Sequence, residues 1–128
     1  FFAVGPMSTA LSKMKVGELV GVRGPFGTNY EWEPKQKLAL LAGGYGAAPM
    51  YFVANEAVKD DAEIDVIVGA RSKKHLLYLS ELSSLSNTTL HVATDDGSEG
   101  EKGYNVQVIK SLLDQGKSFD QIFACGQR

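Results

Sequence analysis

The sequence lacks several features that would assign it to a specialised protein class. Its 128 residues include one cysteine, Cys125, which excludes a disulfide framework within the chain and fits a reducing compartment. The formal net charge is −2, so a nucleic-acid surface is not indicated. No apolar stretch approaches the ~18 residues of a membrane span. With 44% hydrophobic and 22% charged residues, the composition is that of a globular domain without nucleic-acid or membrane partners.

A hydrophobic run that ends in a glycine cluster is the most informative feature present. Residues 38–42 are apolar, and Gly43, Gly44 and Gly46 follow them directly, ahead of a segment with helical spacing. This order predicts a buried strand, a tight turn and a helix whose free N–H groups favour an anion such as phosphate. The pattern is not a P-loop, because it does not follow Gly-x-x-x-x-Gly-Lys-Ser/Thr. It is not Gly-x-Gly-x-x-Gly either, because Pro49 occupies the third glycine position. Taken alone, it also allows a turn that binds nothing.

Residues 35–128 alternate strand and helix patterns, which predicts an α/β domain with an open parallel sheet and right-handed crossovers. The predicted strands are 38–42, 63–69, 88–93 and 120–124, and the predicted helices are 47–59, 75–85 and 104–115.

Residues 1–34 have a different pattern, typical of the end of an all-β domain followed by a polar linker. They predict strands at 1–4 and 19–22 and a short helix at 9–14 with Ser8 as its N-cap. The chain has no initiator methionine and stops directly after a strand pattern, so we expect it to be a piece of a longer protein.

Each predicted strand of the α/β part ends in small or polar residues. Because ligands bind at the carboxyl ends of parallel strands, four such ends favour one shared site. The four segments are Gly43-Gly44-Tyr45-Gly46, Gly69-Ala70-Arg71-Ser72, Thr94-Asp95-Asp96-Gly97 and Cys125-Gly126-Gln127.

The adjacent carboxylates Asp95 and Asp96 allow three interpretations. In the first, they form an acid–base pair or half of a metal site. In the second, they cap backbone N–H groups of their own turn. We prefer a third, in which at least one accepts hydrogen bonds from ribose hydroxyls, because the pair follows a strand and has no ligand-spaced partners.

The remaining reactive side chains have ordinary explanations of equal or greater weight. His75 and His91 fit surface and packing roles better than catalysis. Cys125 fits a small buried thiol as well as a ligand-facing one. Arg71 and the two lysines after it could contact phosphate or form a solvated helix start.

Motifs over nearly the whole chain match a known family in order and spacing. They are Gly5-Pro6-Met7-Ser8-Thr9, Gly24-Pro25-Phe26-Gly27, Gly43-Gly44-Tyr45-Gly46-Ala47-Ala48-Pro49, Gly69-Ala70-Arg71, Thr94-Asp95-Asp96-Gly97-Ser98 with Gly100 and Gly103, and Cys125-Gly126. On these motifs the chain resembles the ferredoxin–NADP⁺ reductase-like flavoproteins. Within this family, the Thr-Asp-Asp-Gly-Ser segment resembles that of the electron-transfer subunits of dihydroorotate dehydrogenase.

The resemblance implies a division into 1–34, the C-terminal remnant of an FAD-binding β-barrel domain, and 35–128, an NAD-binding α/β domain that is truncated at its C-terminal end. It implies that the FAD pyrophosphate is held near Gly5, Ser8 and Thr9, with Gly24 and Gly27 in the same remnant. It places the NAD dinucleotide on Gly43, Gly44, Gly46, Ala47 and Pro49, with Arg71 among the cofactor-binding residues. The nicotinamide would lie near Cys125 and Gly126. Asp95 and Asp96 replace the Ser and Arg of NADP-using relatives, which favours NAD.

The implied activity is electron transfer between NADH and FAD and on to a [2Fe–2S] centre. The implied setting is a cytoplasmic hetero-oligomer with a catalytic dehydrogenase subunit of pyrimidine biosynthesis. No side chain of this chain is expected to act as acid, base or metal ligand. The family's Arg-x-Tyr-Ser flavin motif and cysteine cluster are missing, and Gln127 replaces the usual proline, so we expect the piece alone to be inactive. The alternatives are an electron-transfer subunit of a hydrogenase or sulfite reductase type, or a non-catalytic nucleotide-binding module.

Overall fold

The computed structural model describes residues 3–126 and contains one five-stranded sheet. The strands are β1 (Lys37–Gly43), β2 (Glu63–Ala70), β3 (Thr88–Thr94), β4 (Glu101–Lys102) and β5 (Gln121–Cys125). The α-helices are α1 (Pro6–Ser12), α2 (Ala47–Ala57), α3 (Leu79–Ser83) and α4 (Asn105–Asp114). Single 3₁₀ turns lie at Gly44–Gly46, Val58–Asp60 and Lys73–His75. The strand order is β4-β3-β2-β1-β5 and every pairing is parallel, which confirms the predicted open parallel sheet.

Strand β1 lies inside the sheet, between β2 and β5, because it is apolar on both faces. On one face Leu38 and Leu40 pack with residues of α2 and α3 such as Met50. On the other face, Leu41 packs with α4 residues such as Ile109. Each fully buried aliphatic side chain of this kind contributes about 1.5–3 kcal/mol. The result is a three-layer lobe whose strands all end at the same edge.

The amino-terminal segment does not form the predicted β-structure. No residue of 3–36 is in a strand, and the predicted strand at 19–22 leaves Leu19 97% exposed because no neighbouring strand pairs with it. Of the predicted strand 1–4, residues 1–2 lie outside the described residues and 3–4 are irregular.

The first helix begins at Pro6, three residues before the predicted start at residue 9, and its N-cap is Gly5. Ser8 is therefore not the cap but the third helical residue. Its hydroxyl reaches back and accepts hydrogen bonds from the N–H groups of Val4 and Gly5, both at 3.0 Å. Proline suits a first-turn position because its missing N–H is not needed there.

The predicted helix 75–85 is broken into the 3₁₀ turn Lys73–His75 and the short helix α3. The break occurs at Tyr78, whose φ of 61° lies in the left-handed region and cannot continue a right-handed helix. The Tyr78 ring stacks on that of Tyr51 in α2, with centroids 5.2 Å apart. The two-residue strand β4 was not predicted, since no hydrophobic pattern marks it.

Residues 30–36 attach the amino-terminal segment to the lobe. The Trp32 indole N–H donates to Asp60 Oδ2 at 2.9 Å, and the Lys35 N–H donates to the Asp60 carbonyl at 3.0 Å. The Tyr30 ring meets Phe123 of β5 edge-on, with centroids 5.2 Å apart. The linker therefore runs across the lobe rather than away from it.

Candidate functional site

A cleft of about 860 Å³ opens at the carboxyl ends of β1, β2, β3 and β5. This is the edge at which the sequence predicted a shared site. The cleft is lined by seven residues predicted to bind cofactor: Gly43, Gly44, Gly46, Arg71, Asp95, Cys125 and Gly126.

The glycine turn is shaped by close contact between β1 and β5. A Cβ on Gly46 would lie 2.0 Å from the Cys125 carbonyl oxygen, so no side chain fits there. A Cβ on Gly126 would lie 2.9 Å from the Gly43 Cα. Gly44 has a φ of +54°, a conformation that glycine adopts without strain. The glycines therefore let the turn pack backbone to backbone against the end of β5, and Tyr45 is the side chain that this turn contributes to the cleft.

Eight other predicted residues do not line the cleft. Ala47 is buried and Pro49 is exposed in the first turn of α2. Asp96 lies outside the cleft wall. The residues assigned to FAD lie in the irregular amino-terminal segment or in α1 and contribute nothing to this cleft: Gly5, Ser8, Thr9, Gly24 and Gly27.

The two adjacent carboxylates have different roles. Asp95 is exposed and lines the cleft. Asp96 Oδ1 accepts hydrogen bonds from the Ser98 hydroxyl at 2.6 Å and the Ser98 N–H at 2.9 Å. These hydrogen bonds, led by the hydroxyl, stabilise the charged carboxylate and hold the pKa of Asp96 below its ordinary value. Asp96 is thus a turn acid, and Asp95 is the carboxylate that lines the cleft.

The loop that carries these acids is tied to the loop after β2. The Lys73 N–H donates to the Ser98 hydroxyl at 2.8 Å. The Lys73 ammonium lies 2.7 Å from Glu99 Oε2, and this carboxylate raises the pKa of Lys73. The buried Thr94 hydroxyl donates to the Glu99 carbonyl at 2.7 Å. The loops after β2 and β3, which form two walls of the cleft, are therefore joined by contacts that lie outside the cleft.

Of the basic residues that could contact phosphate, the structure brings Arg71 and Lys74 into the cleft. Arg71 is accompanied by Lys74 and His75, so its wall carries two cations beside the single carboxylate of Asp95. The His75 Nδ1 lies 2.9 Å from the Ser72 hydroxyl.

Leu77, Tyr104 and Asn105 also line the cleft, and the sequence analysis predicted no binding role for them. Asn105 begins α4, and its side-chain amide donates to the Ala42 carbonyl at 3.4 Å. A Cβ on Gly69 would lie 3.0 Å from the Asn105 Cβ, so this glycine makes room for the helix start. The glycine loop before α4 is the one pattern that could have drawn attention to this position.

A second polar cluster lies away from the cleft, on the α4 side of the sheet. Asp65 is 2% exposed, and its Oδ1 lies 2.7 Å from His91 Nε2 and 2.5 Å from the Lys117 ammonium. The predicted packing role of His91 therefore takes the form of a contact with a buried carboxylate.

Within residues 3–126, no group of three or more His, Cys, Asp or Glu side chains is placed to hold a metal ion. None of the helices in the same range combines the length and the apolar character that crossing a membrane requires.

Comparison with known proteins assigns a family to this lobe. The family model described as "Oxidoreductase NAD-binding domain" matches residues 40–128. A probable dihydroorotate dehydrogenase B (NAD(+)) electron transfer subunit of Methanocaldococcus jannaschii is 41% identical over 123 residues, covering 96% of this chain and 46% of the relative. The corresponding protein of Thermococcus kodakarensis is 36% identical, with 96% and 50% covered.

A solved structure shares the fold over nearly the whole chain. It is that of an NADH-dependent reduced ferredoxin–NADP oxidoreductase, with a TM-score of 0.79 and 31% identity, covering 96% of this chain and 44% of that one. These matches confirm the resemblance drawn from the motifs and the ferredoxin reductase-like lobe. The chain spans about half the length of the curated relatives it matches.

Proposed function

The chain belongs to the oxidoreductase NAD-binding domain family, and we propose that its cleft binds NAD(H) for electron transfer to a flavin. The observation that carries the proposal is the cleft floor formed by the Gly43–Gly46 turn and Gly126, where the turn packs against the Cys125 carbonyl. That floor lies at the carboxyl edge of a parallel sheet, where dinucleotides bind in open α/β folds. A cleft lined by two cations and one carboxylate suits a ligand that has both phosphates and ribose hydroxyls.

The strand order suggests how the dinucleotide lies. Its pyrophosphate would sit above the Gly43–Gly46 turn, within reach of Arg71 and Lys74. The nicotinamide would point toward Cys125 on one side. On the other side Asp95 would accept hydrogen bonds from ribose hydroxyls. Because a carboxylate repels a 2′-phosphate, this arrangement favours NAD over NADP.

In the longer protein we propose an electron-transfer subunit of dihydroorotate dehydrogenase type, working beside a catalytic dehydrogenase subunit in the cytoplasm. The support is the similarity over 96% of this chain to two probable dihydroorotate dehydrogenase B electron transfer subunits. A bound FAD would exchange two electrons with the nicotinamide and single electrons with a [2Fe–2S] centre. This chain's part is to bind and orient the dinucleotide.

We infer that the residues assigned to FAD hold the flavin only together with other parts of the longer protein. The hydroxyl of Ser8 is engaged with the backbone at Val4 and Gly5, and no residue of 3–36 lines the cleft. FAD would therefore be held chiefly by parts of the longer protein outside this chain, and no reaction step is assigned to residues 3–36.

The test is anaerobic reduction of the purified full-length protein by NADH. We expect a yellow protein whose flavin absorbance is bleached by NADH, with a clearly lower KM for NADH than for NADPH. A colourless protein that still binds NADH would support a non-catalytic nucleotide-binding module instead. Comparable KM values for the two dinucleotides would contradict the role given to Asp95.

A further inference from the structure

Four residues join two walls of the cleft from the outside, and we call them the loop clasp: Lys73, Asp96, Ser98 and Glu99. In the described structure none of them lines the cleft. They come from the loops that follow β2 and β3, which also supply Arg71 and Asp95 to the cleft. The position of those two side chains therefore depends on how the loops are held.

Ser98 is the centre of the loop clasp because its hydroxyl makes two contacts at once. It accepts the Lys73 N–H at 2.8 Å and donates to Asp96 Oδ1 at 2.6 Å. The Ser98 N–H donates to the same carboxylate oxygen at 2.9 Å. One hydroxyl thus connects the backbone of one loop to the charged side chain of the other.

Backbone hydrogen bonds align the two loops between the clasp and the strands. The Asp95 N–H donates to the Ala70 carbonyl at 3.1 Å, and the Asp96 N–H donates to the Arg71 carbonyl at 3.2 Å. The ion pair between Lys73 and Glu99 closes the far end at 2.7 Å. Asp95 is therefore held beside the loop after β2 by its own N–H and by the contacts of the residues that follow it.

We propose that Ser98 is a positioning residue that fixes Asp95 at the rim of the cleft and thereby sets the preference for NADH over NADPH. The proposal rests on the function proposed above. If the Ser98 hydroxyl is removed, the loop after β3 loses its hydrogen bond to the Lys73 N–H, and the ion pair between Lys73 and Glu99 remains as the side-chain contact at this end. The Asp95 carboxylate then shifts away from the bound ribose. Its repulsion of a 2′-phosphate then falls with distance, while its hydrogen bonds to free hydroxyls weaken.

The experiment compares dissociation constants of NADH and NADPH for the full-length protein, measured by calorimetry under anaerobic conditions. In Ser98→Ala we expect the Kd ratio of NADPH to NADH to fall roughly three- to tenfold, the range associated with losing one or two net hydrogen bonds. Ser98→Thr retains the hydroxyl and should return the ratio close to that of the wild type. Ser84→Ala removes an exposed hydroxyl in the α3 region that bonds only the Glu81 carbonyl, and should leave the ratio unchanged.

The ratio distinguishes positioning from simple stabilisation. A residue that only stabilised the fold would lower the melting temperature and weaken both dinucleotides equally. An unchanged ratio in Ser98→Ala would overturn the inference while leaving the proposed function intact. If the wild-type protein binds neither dinucleotide, the proposed function fails and the inference fails with it.

Discussion

Two regions of the chain have similar hydrophobic residues but bury them very differently. In the lobe, Leu38 and Leu40 are fully buried between α-helices and neighbouring strands. In the amino-terminal segment Leu19 is 97% exposed and Val22 is 90% exposed. The apolar alternation at 19–22 is as strand-like as that of many real strands. The difference teaches that a strand pattern becomes a strand only when a partner supplies the backbone hydrogen bonds.

Glycine substitutions test the comparison most strongly, because Gly46 of the lobe has no room for a side chain whereas Gly21 of the amino-terminal segment does. Gly46→Val would place atoms within the van der Waals radius of the Cys125 carbonyl, whereas a Cβ at Gly21 has nothing within 4 Å. We expect Gly46→Val to cost on the order of 4 kcal/mol and to abolish NADH binding, because backbone rather than side chain must move. Thermal denaturation and NADH titration of the full-length protein would show it.

Gly21→Val is the control and should change neither quantity appreciably. If both variants lost stability equally, the cost would not come from the contact between the turn and β5.

Leucine truncation tests burial directly. Leu40→Ala should lower the free energy of unfolding by about 2–5 kcal/mol, because it leaves a cavity in the core. Leu19→Ala should change it by less than about 0.5 kcal/mol if its side chain is exposed as described. Urea denaturation of both variants in the full-length protein makes the measurement. A large cost at Leu19 would show that another part of the longer protein covers it.

The buried carboxylate of the lobe should matter more than the carboxylates of the segment. Asp65→Ala removes the acceptor shared by His91 and Lys117. We expect a loss of about 1–2 kcal/mol, less than for a fully buried pair because the Lys117 side chain is 36% exposed. Glu31→Ala, at an exposed side chain in the segment, should be near neutral. Equal losses of unfolding free energy for the two variants in chemical denaturation would show that the contacts of Asp65 with His91 and Lys117 do not stabilise the lobe.

The smallest expected effect concerns the acidic turn. Hydrogen bonds from Ser98 lower the pKa of Asp96, so their stabilisation is fully present above the pKa of an unfolded aspartate. It is lost as the pH falls through the lower folded-state pKa. An NMR titration of the Ser98 amide should therefore show its midpoint below that of an ordinary aspartate. Ser98→Ala should move the midpoint upward, and an unshifted midpoint in the wild type would disagree with the described contacts.

The parts of the fold that follow from local chemistry were predictable from the sequence. The strands at 37–43, 63–70 and 88–94 contain apolar residues and are bounded by turn residues, and each was located within one residue at either end. The glycine turn after β1 was predicted because glycine is needed where backbones approach closely.

Features that depend on distant partners were not predictable. The exposure of 19–22 depends on a missing neighbour strand, and the break at Tyr78 accompanies a ring stacked on Tyr51. Asn105 enters the cleft only because α4 begins beneath Gly69. No sequence pattern distinguished Asp95 from Asp96 either, since the distinction depends on where the Ser98 hydroxyl points.

Strand β5 is an edge strand that pairs with β1, and it carries Cys125 to the cleft. The Lys37 N–H at the start of β1 donates to the Asp120 side chain, which is 83 positions later in the chain. During synthesis, β1 and its glycine turn must therefore remain without this neighbour until most of the lobe has emerged. Long-range pairing of this kind slows folding. The cleft is accordingly one of the last features of this part of the chain to form, because it needs both β1 and β5.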